Sequence, residues 1–159
     1  MRYDKTFYRR SLNRVLSAVP AACLADLRSR YEAVVAQISK AACGLCPRRV
    51  LSGKRPRSRR PAHTGLPVDW ELCGLATGPL DFAALTTGLP EAEANLLVEA
   101  YVQKLPETPR DLGQLLEGCR LHLAIEWLGR SKRWTPPFEH ARDWAAEALA
   151  AAKKLNLVA

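Results

Sequence analysis

Two acidic residues stand in unusual surroundings in the segment "VDWELCGLATGPLDFAAL", which covers residues 68–85. Asp69 lies within an apolar run, and Asp81 follows Gly78-Pro79 in a stretch whose spacing predicts a helix. Because proline favours the first helical position, Asp81 is expected in the first turn, where the helix dipole stabilises a negative charge. Asp69 has two interpretations: an acid of an exposed turn or helix cap, or a carboxylate held in place for chemistry.

A second set of residues able to do chemistry consists of Cys43 and Cys46 in a C-x-x-C pattern, together with Cys73 and His63. Thiolates and imidazoles are the usual zinc ligands in proteins. The spacing of this set is irregular and no second C-x-x-C follows, so unligated thiols are the alternative to a zinc site. The odd number of cysteines, five, and the absence of an apolar leader predict reduced thiols and a cytoplasmic location.

The elements that must position these residues are mostly helical. Apolar residues recur at helical spacing, and proline or glycine interrupts the pattern between one helix and the next. Helices are predicted over residues 4–19, 22–39, 78–88, 90–105, 109–134 and 138–157. A short strand is predicted at 66–70, within at most a small hairpin near 48–70. We therefore expect a single, mainly α domain over residues 1–159, with His122 packed in its core and no segment suited to crossing a membrane.

The segment over residues 41–65 differs from the rest of the chain in charge and in pattern. Between Ala33 and Val68 there are eight basic residues and no acid. The whole chain has 24 Lys and Arg against 16 Asp and Glu, so removing these eight leaves 16 of each sign, and this stretch supplies the entire net charge of +8. We expect a solvated, disordered loop. The alternative is a loop that binds nucleic acid or another anionic partner through phosphate contacts, although no aromatic residue is interleaved for base stacking.

Residues 68–85 resemble the aminoglycoside phosphotransferase and choline kinase families, which share the protein-kinase-like fold. The resemblance extends over the helices on both sides, including "FYRRSLNRVL" and "EWLGRSKRW", and covers most of the chain outside residues 41–65. It implies a helical C-terminal lobe whose cofactors are ATP and Mg²⁺ and whose substrate is a hydroxyl group of a small molecule. It also implies that Asp69 binds the magnesium ions bridging the ATP phosphates, and that Asp81 supports the catalytic loop by accepting hydrogen bonds from its backbone.

Two departures from the family pattern set the expected activity. The family's catalytic loop, H-G-D-x-x-P-x-N, has a base and a metal-binding Asn, whereas the corresponding window over residues 43–51 contains neither, and Arg49 stands near the Asn position. The family's N-terminal lobe, which covers the ATP phosphates, is expected to be absent because the sequence opens within the helical lobe. We therefore expect weak nucleotide binding and no detectable phosphate transfer.

The composition of residues 41–65 suggests how such a chain could arise. A mixture rich in Arg, Pro, Ser, Gly, Ala and His is typical of a GC-rich gene translated out of frame. Two compensating frameshifts, near residues 40 and 66, would replace the catalytic loop and leave both flanks intact. Translating the other frames of the coding sequence tests this hypothesis, which fails if no H-G-D-type loop appears.

Overall fold

The computed structural model describes residues 2–17, 25–41, 43–46, 73–105, 107–131 and 142–158. In chain order, the elements in this part are α1 (Lys5–Leu16), α2 (Ala25–Lys40), β1 (Cys43–Cys46), β2 (Gly74–Thr77), α3 (Gly78–Thr86), α4 (Glu91–Val102), α5 (Leu112–Ser131) and α6 (Trp144–Lys154). The prediction of a mainly α protein is confirmed, and each predicted helix has a counterpart. Within the described residues, no helix combines the length and hydropathy needed to cross a bilayer.

Local sequence accounts for where two of the helices begin. Asp4 caps α1, since its Oδ1 accepts a hydrogen bond from the Phe7 backbone N–H at 3.0 Å. Asp143 caps α6 in the same way, with the Ala146 backbone N–H donating at 2.9 Å. Asp143 therefore fixes the start of the last helix, and residues 138–141, where a longer helix is predicted, lie outside the described part.

Helix α3 ends where its sequence predicts. Pro79 occupies its first turn, and Gly88 follows its last residues with a φ of 86°. A positive φ suits glycine, because a Cβ atom is crowded in that conformation. The guanidinium of Arg142 lies against this glycine, so that a Cβ atom on residue 88 would overlap its Nη1 atom. The turn after α3 is therefore in contact with the residues that lead into α6.

Replacing Gly88 by alanine should lower the free energy of unfolding by about 1–2 kcal/mol, because alanine is strained at this positive φ and also displaces Arg142. Urea unfolding followed by circular dichroism measures the difference. Gly113→Ala is the matched control. Residue 113 lies in α5 with no described neighbour within 4 Å of an added Cβ, so its replacement should raise stability by up to about 1 kcal/mol. Equal effects of the two substitutions would contradict the special role of Gly88.

Strands β1 and β2 form a two-stranded antiparallel sheet. Cys43 lies opposite Thr77, and Cys46 lies opposite Gly74. The sequence pattern does not predict β1, which falls in the segment expected to be irregular. Backbone pairing with a partner distant in sequence outweighs local propensity here. The strand predicted at 66–70 lies outside the described residues.

Helix α5 lies at the centre of the core and packs against α1, α2, α3 and α6. Its buried residues in the main core are Leu115, Cys119, Leu121, Leu123, Ala124 and Ile125. These residues are not confined to one stripe of the helix, because neighbours cover it on several sides. A smaller cluster, built on Phe82, Leu112 and Leu116, joins α3 to the start of α5 and receives the inner face of α4.

Candidate functional site

The structure describes one of the two acids that the sequence singles out. Asp81 lies in the first turn of α3, as expected, and is half-buried there. Asp69 lies outside the described residues, so its binding of magnesium stays a prediction. The support that Asp81 is expected to give to a catalytic loop also stays a prediction, since that loop corresponds largely to residues outside the described part.

The pairing of β1 with β2 fixes where the segment between the strands leaves and rejoins the described fold. Cys46, the last residue of β1, lies opposite Gly74, the first residue of β2. The two ends of the intervening segment therefore lie side by side. This segment contains most of the window that corresponds to the catalytic loop, and it contains Asp69, four residues before Cys73. The residues that precede and follow this segment therefore belong to the same small sheet.

A cavity of about 560 Å³ lies beside this sheet. Gly44 of β1 and Thr77 of β2 contribute to its lining, together with Gly78 and Pro79 at the start of α3. The end of α2, the end of α4 and the approach to α5 complete the described lining. This volume lies within the range of sites that bind small molecules, and the cavity is open to solvent on one side. No pattern in the sequence predicts this cavity, because its lining residues come from separate elements that only the fold brings together.

Charged side chains of both signs line this cavity next to apolar ones. Lys40, at the end of α2, is exposed, as are Glu107 and Asp111 in the segment that leads into α5. Gln37 Nε2 donates a hydrogen bond to Asp111 Oδ2 at 3.1 Å. Within the described part of the chain, Lys40 forms no ion pair with either carboxylate. The apolar part of the lining includes Leu105, Leu112 and Leu115.

A second group of polar residues lies in the core between α1, α2 and α5. Tyr31 and His122 are fully buried, and Tyr31 Oη is hydrogen-bonded to His122 Nδ1 at 2.8 Å. Burial raises the pKa of the Tyr31 phenol well above its usual value, with smaller contributions from nearby Tyr8 and Glu126. One turn further along α5, Arg130 Nη2 donates a hydrogen bond to Glu126 Oε1 at 2.6 Å. The expected packing role of His122 is confirmed, and these residues form a network inside the core rather than a part of the cavity.

The zinc alternative is not decided by the described residues. Among them, no group of three or more His, Cys, Asp or Glu side chains could hold a metal ion. Cys73 and Cys119 belong to the described part, and neither forms a disulfide bond there. His63 lies outside it. Both the zinc site and the unligated thiols therefore stay predictions.

Comparison with protein-family models, with curated proteins and with solved structures finds no match for this chain. The resemblance of residues 68–85 to the phosphotransferase families therefore stays a prediction from the sequence.

Proposed function

We propose that this chain is the helical lobe of an aminoglycoside phosphotransferase-like kinase, and that as it stands it transfers no phosphate. In a complete site of this kind, ATP with Mg²⁺ is the phosphate donor and a hydroxyl group of a small molecule is the acceptor. The observation that carries the proposal is the antiparallel pairing of β1 with β2 around the segment that contains Asp69.

This pairing supports the proposal for a geometric reason. A catalytic loop and a metal-binding Asp act on the same phosphate groups, so the chain segments that carry them need to lie together. Strand β1 precedes most of the loop window and β2 follows Asp69, so their pairing keeps the two flanks of this segment adjacent. Immediately after β2 begins the helix with Asp81 in its first turn, in the order that the resemblance implies.

The residues of the chain fit the cofactor only in part. A magnesium ion that bridges phosphates takes hard oxygen ligands, and the resemblance implies an Asp and an Asn. The chain has Asp69 for the first and Arg49 near the position of the second. Between Ala33 and Val68 there is no Asp, Glu or Asn, so this stretch offers neither a second carboxylate ligand for Mg²⁺ nor a carboxylate base for the acceptor hydroxyl. Weak binding of ATP with Mg²⁺, without turnover, is the expected behaviour.

Titration with ATP in the presence of Mg²⁺ should show weak binding, with a dissociation constant in roughly the millimolar range. Replacing Asp69 by asparagine should weaken this binding by about tenfold or more, because it removes the negative charge that attracts the metal ion. Phosphorus NMR of ATP, recorded with Mg²⁺ and again with excess EDTA, separates the metal-dependent part of the binding.

Glu93→Gln is the matched control for this experiment, since Glu93 is an exposed acid on α4. It should bind ATP as the unmodified protein does, and ADP should form in none of the three proteins. Binding that is the same with Mg²⁺ and with EDTA, or the same in Asp69→Asn, would rule out the phosphotransferase assignment. Measurable phosphate transfer would overturn the expected lack of turnover.

The distribution of charge favours a second candidate, a helical module without enzymatic activity whose basic segment binds nucleic acid or another polyanion. Eight basic residues and no acid lie between Ala33 and Val68, while the rest of the chain is neutral in sum. Phosphate contacts make affinity fall steeply with salt, so binding to a DNA duplex should weaken by orders of magnitude between about 50 and about 200 mM salt. An absence of binding at the lower concentration would remove this candidate.

A further inference from the structure

We infer that the cavity between the end of α2, the start of α3 and the approach to α5 binds a small zwitterion with an apolar body, of the amino-acid or dipeptide type. Such a ligand needs neither ATP nor a metal ion, so this site is independent of the proposed function. Three features of the cavity lead to it: its volume of about 560 Å³, charges of both signs in its lining, and the apolar surface beside them.

The positive charge comes from Lys40 on the last turn of α2. Its side chain is exposed, and among the described residues it has neither an ion-pair nor a hydrogen-bond partner. Lys40 therefore contributes to the lining a positive charge that no described carboxylate neutralises.

The negative charges lie where the chain enters α5. Asp111 is oriented by Gln37, whose Nε2 donates to its Oδ2 at 3.1 Å, and this hydrogen bond leaves Oδ1 facing no described donor. Glu107, four residues earlier, lines the same cavity and has no described ion-pair partner. Two carboxylates that line one cavity attract a ligand ammonium more strongly than a single carboxylate does.

The placement of these charges favours a ligand that has both signs. Gln37 and Lys40 are three residues apart on α2 and so share one face of the helix. Gln37 is hydrogen-bonded to Asp111, and Lys40 and Asp111 line the same cavity without forming an ion pair with each other. A simple anion would be repelled by the two carboxylates, and a simple amine would leave the charge of Lys40 without a partner. A zwitterion satisfies both.

The apolar part of the lining accounts for the body of the ligand. Leu112 and Leu115 line the cavity although they are only 6% and 4% exposed, so they form a floor that belongs to the packed core. Leu105 and Tyr101 extend this surface towards α4. Because these side chains are already packed, they lose little conformational entropy when an apolar group of a ligand is buried against them.

The full chain is titrated with three probes that share one body, in the absence of ATP and Mg²⁺. They are the dipeptide Leu-Phe, its N-acetyl form, which lacks the ammonium group, and its C-terminal amide, which lacks the carboxylate. Nitrogen–proton correlation NMR should show saturable binding of Leu-Phe and binding at least about fivefold weaker for each blocked form. An absence of saturable binding, or equal binding of all three probes, would overturn the inference.

Substitutions then assign each charge to its part of the ligand. Lys40→Ala should weaken binding of Leu-Phe by about fivefold and leave binding of the amide unchanged, whereas Asp111→Asn should weaken Leu-Phe and spare the N-acetyl form. Lys104→Ala is the control, because Lys104 is exposed and does not line the cavity. All three side chains are exposed, so the variants are expected to fold. A loss of Leu-Phe binding in Lys104→Ala equal to that in Lys40→Ala would mean that the dipeptide does not bind in this cavity. Such a result would not change the outcome of the Mg²⁺-dependent ATP titration, so the two proposals are tested separately.

Discussion

Replacing Ile125 by alanine should lower the free energy of unfolding by about 2–5 kcal/mol. Ile125 lies in the middle of α5 and is 1% exposed, and α5 packs against four other helices. The groups that the substitution removes therefore have packed neighbours on several sides. These neighbours cannot close the resulting space without losing contacts elsewhere. Urea unfolding, monitored by circular dichroism at neutral pH, measures the loss.

Leu149→Ala is the matched control for Ile125→Ala, since it removes a similar side chain from the surface. Leu149 lies on α6 and is 50% exposed, so its replacement should change the free energy of unfolding by no more than about 0.5 kcal/mol. A similar, small effect at Ile125 would mean that α5 is not the centre of the core, and the packing described above would be wrong.

The case of α5 shows how much of the fold the sequence predicts. The predicted apolar stripe consists of Leu112, Leu115, Leu116, Cys119, Leu123 and Trp127. The first five of these residues are buried, whereas Trp127 is only half-buried. Leu121, Ile125 and Glu126 lie outside that stripe and are buried as well. An apolar stripe indicates that a helix has one inward face, but it does not indicate how many neighbours surround it. The helix could be predicted from its own residues, whereas its central position depends on the other four helices.

The candidate site was harder to predict than the helices, for a related reason. The place of Asp81 in a first turn follows from the neighbouring Pro79 alone, and it is confirmed. Strand β1 has four residues, and its partner follows a long intervening segment, so nothing local indicates the pairing. Likewise, Lys40 and Glu107 line one cavity only because α2 packs against α5. Contacts between segments distant in the chain are the part of the site that patterns within one segment do not encode.

Replacing Tyr31 by phenylalanine should have a second large effect, a loss of about 1–3 kcal/mol in the free energy of unfolding at neutral pH. The substitution keeps the ring and its packing but removes the hydroxyl that is hydrogen-bonded to His122 Nδ1 at 2.8 Å. Since both side chains are fully buried, water cannot replace the lost partner without disturbing the core. Tyr101→Phe removes a hydroxyl from a half-buried tyrosine and is the control.

The loss caused by Tyr31→Phe should itself depend on pH, because burial raises the pKa of Tyr31 in the folded protein. The stability that the neutral phenol contributes is fully present below the pKa of the unfolded chain, about 10, and is lost as pH rises through the higher folded value. Above pH 10 the unmodified protein should therefore lose up to about 1.4 kcal/mol per pH unit through Tyr31. Tyr31→Phe has no phenol to ionise at this position, so the difference in free energy of unfolding between it and the unmodified protein should shrink as pH rises. Tyr101→Phe keeps Tyr31, so its free energy of unfolding should fall with pH as that of the unmodified protein does. A constant difference between the unmodified protein and Tyr31→Phe from about pH 7 to about pH 11 would mean that unfolding is not coupled to ionisation of this phenol.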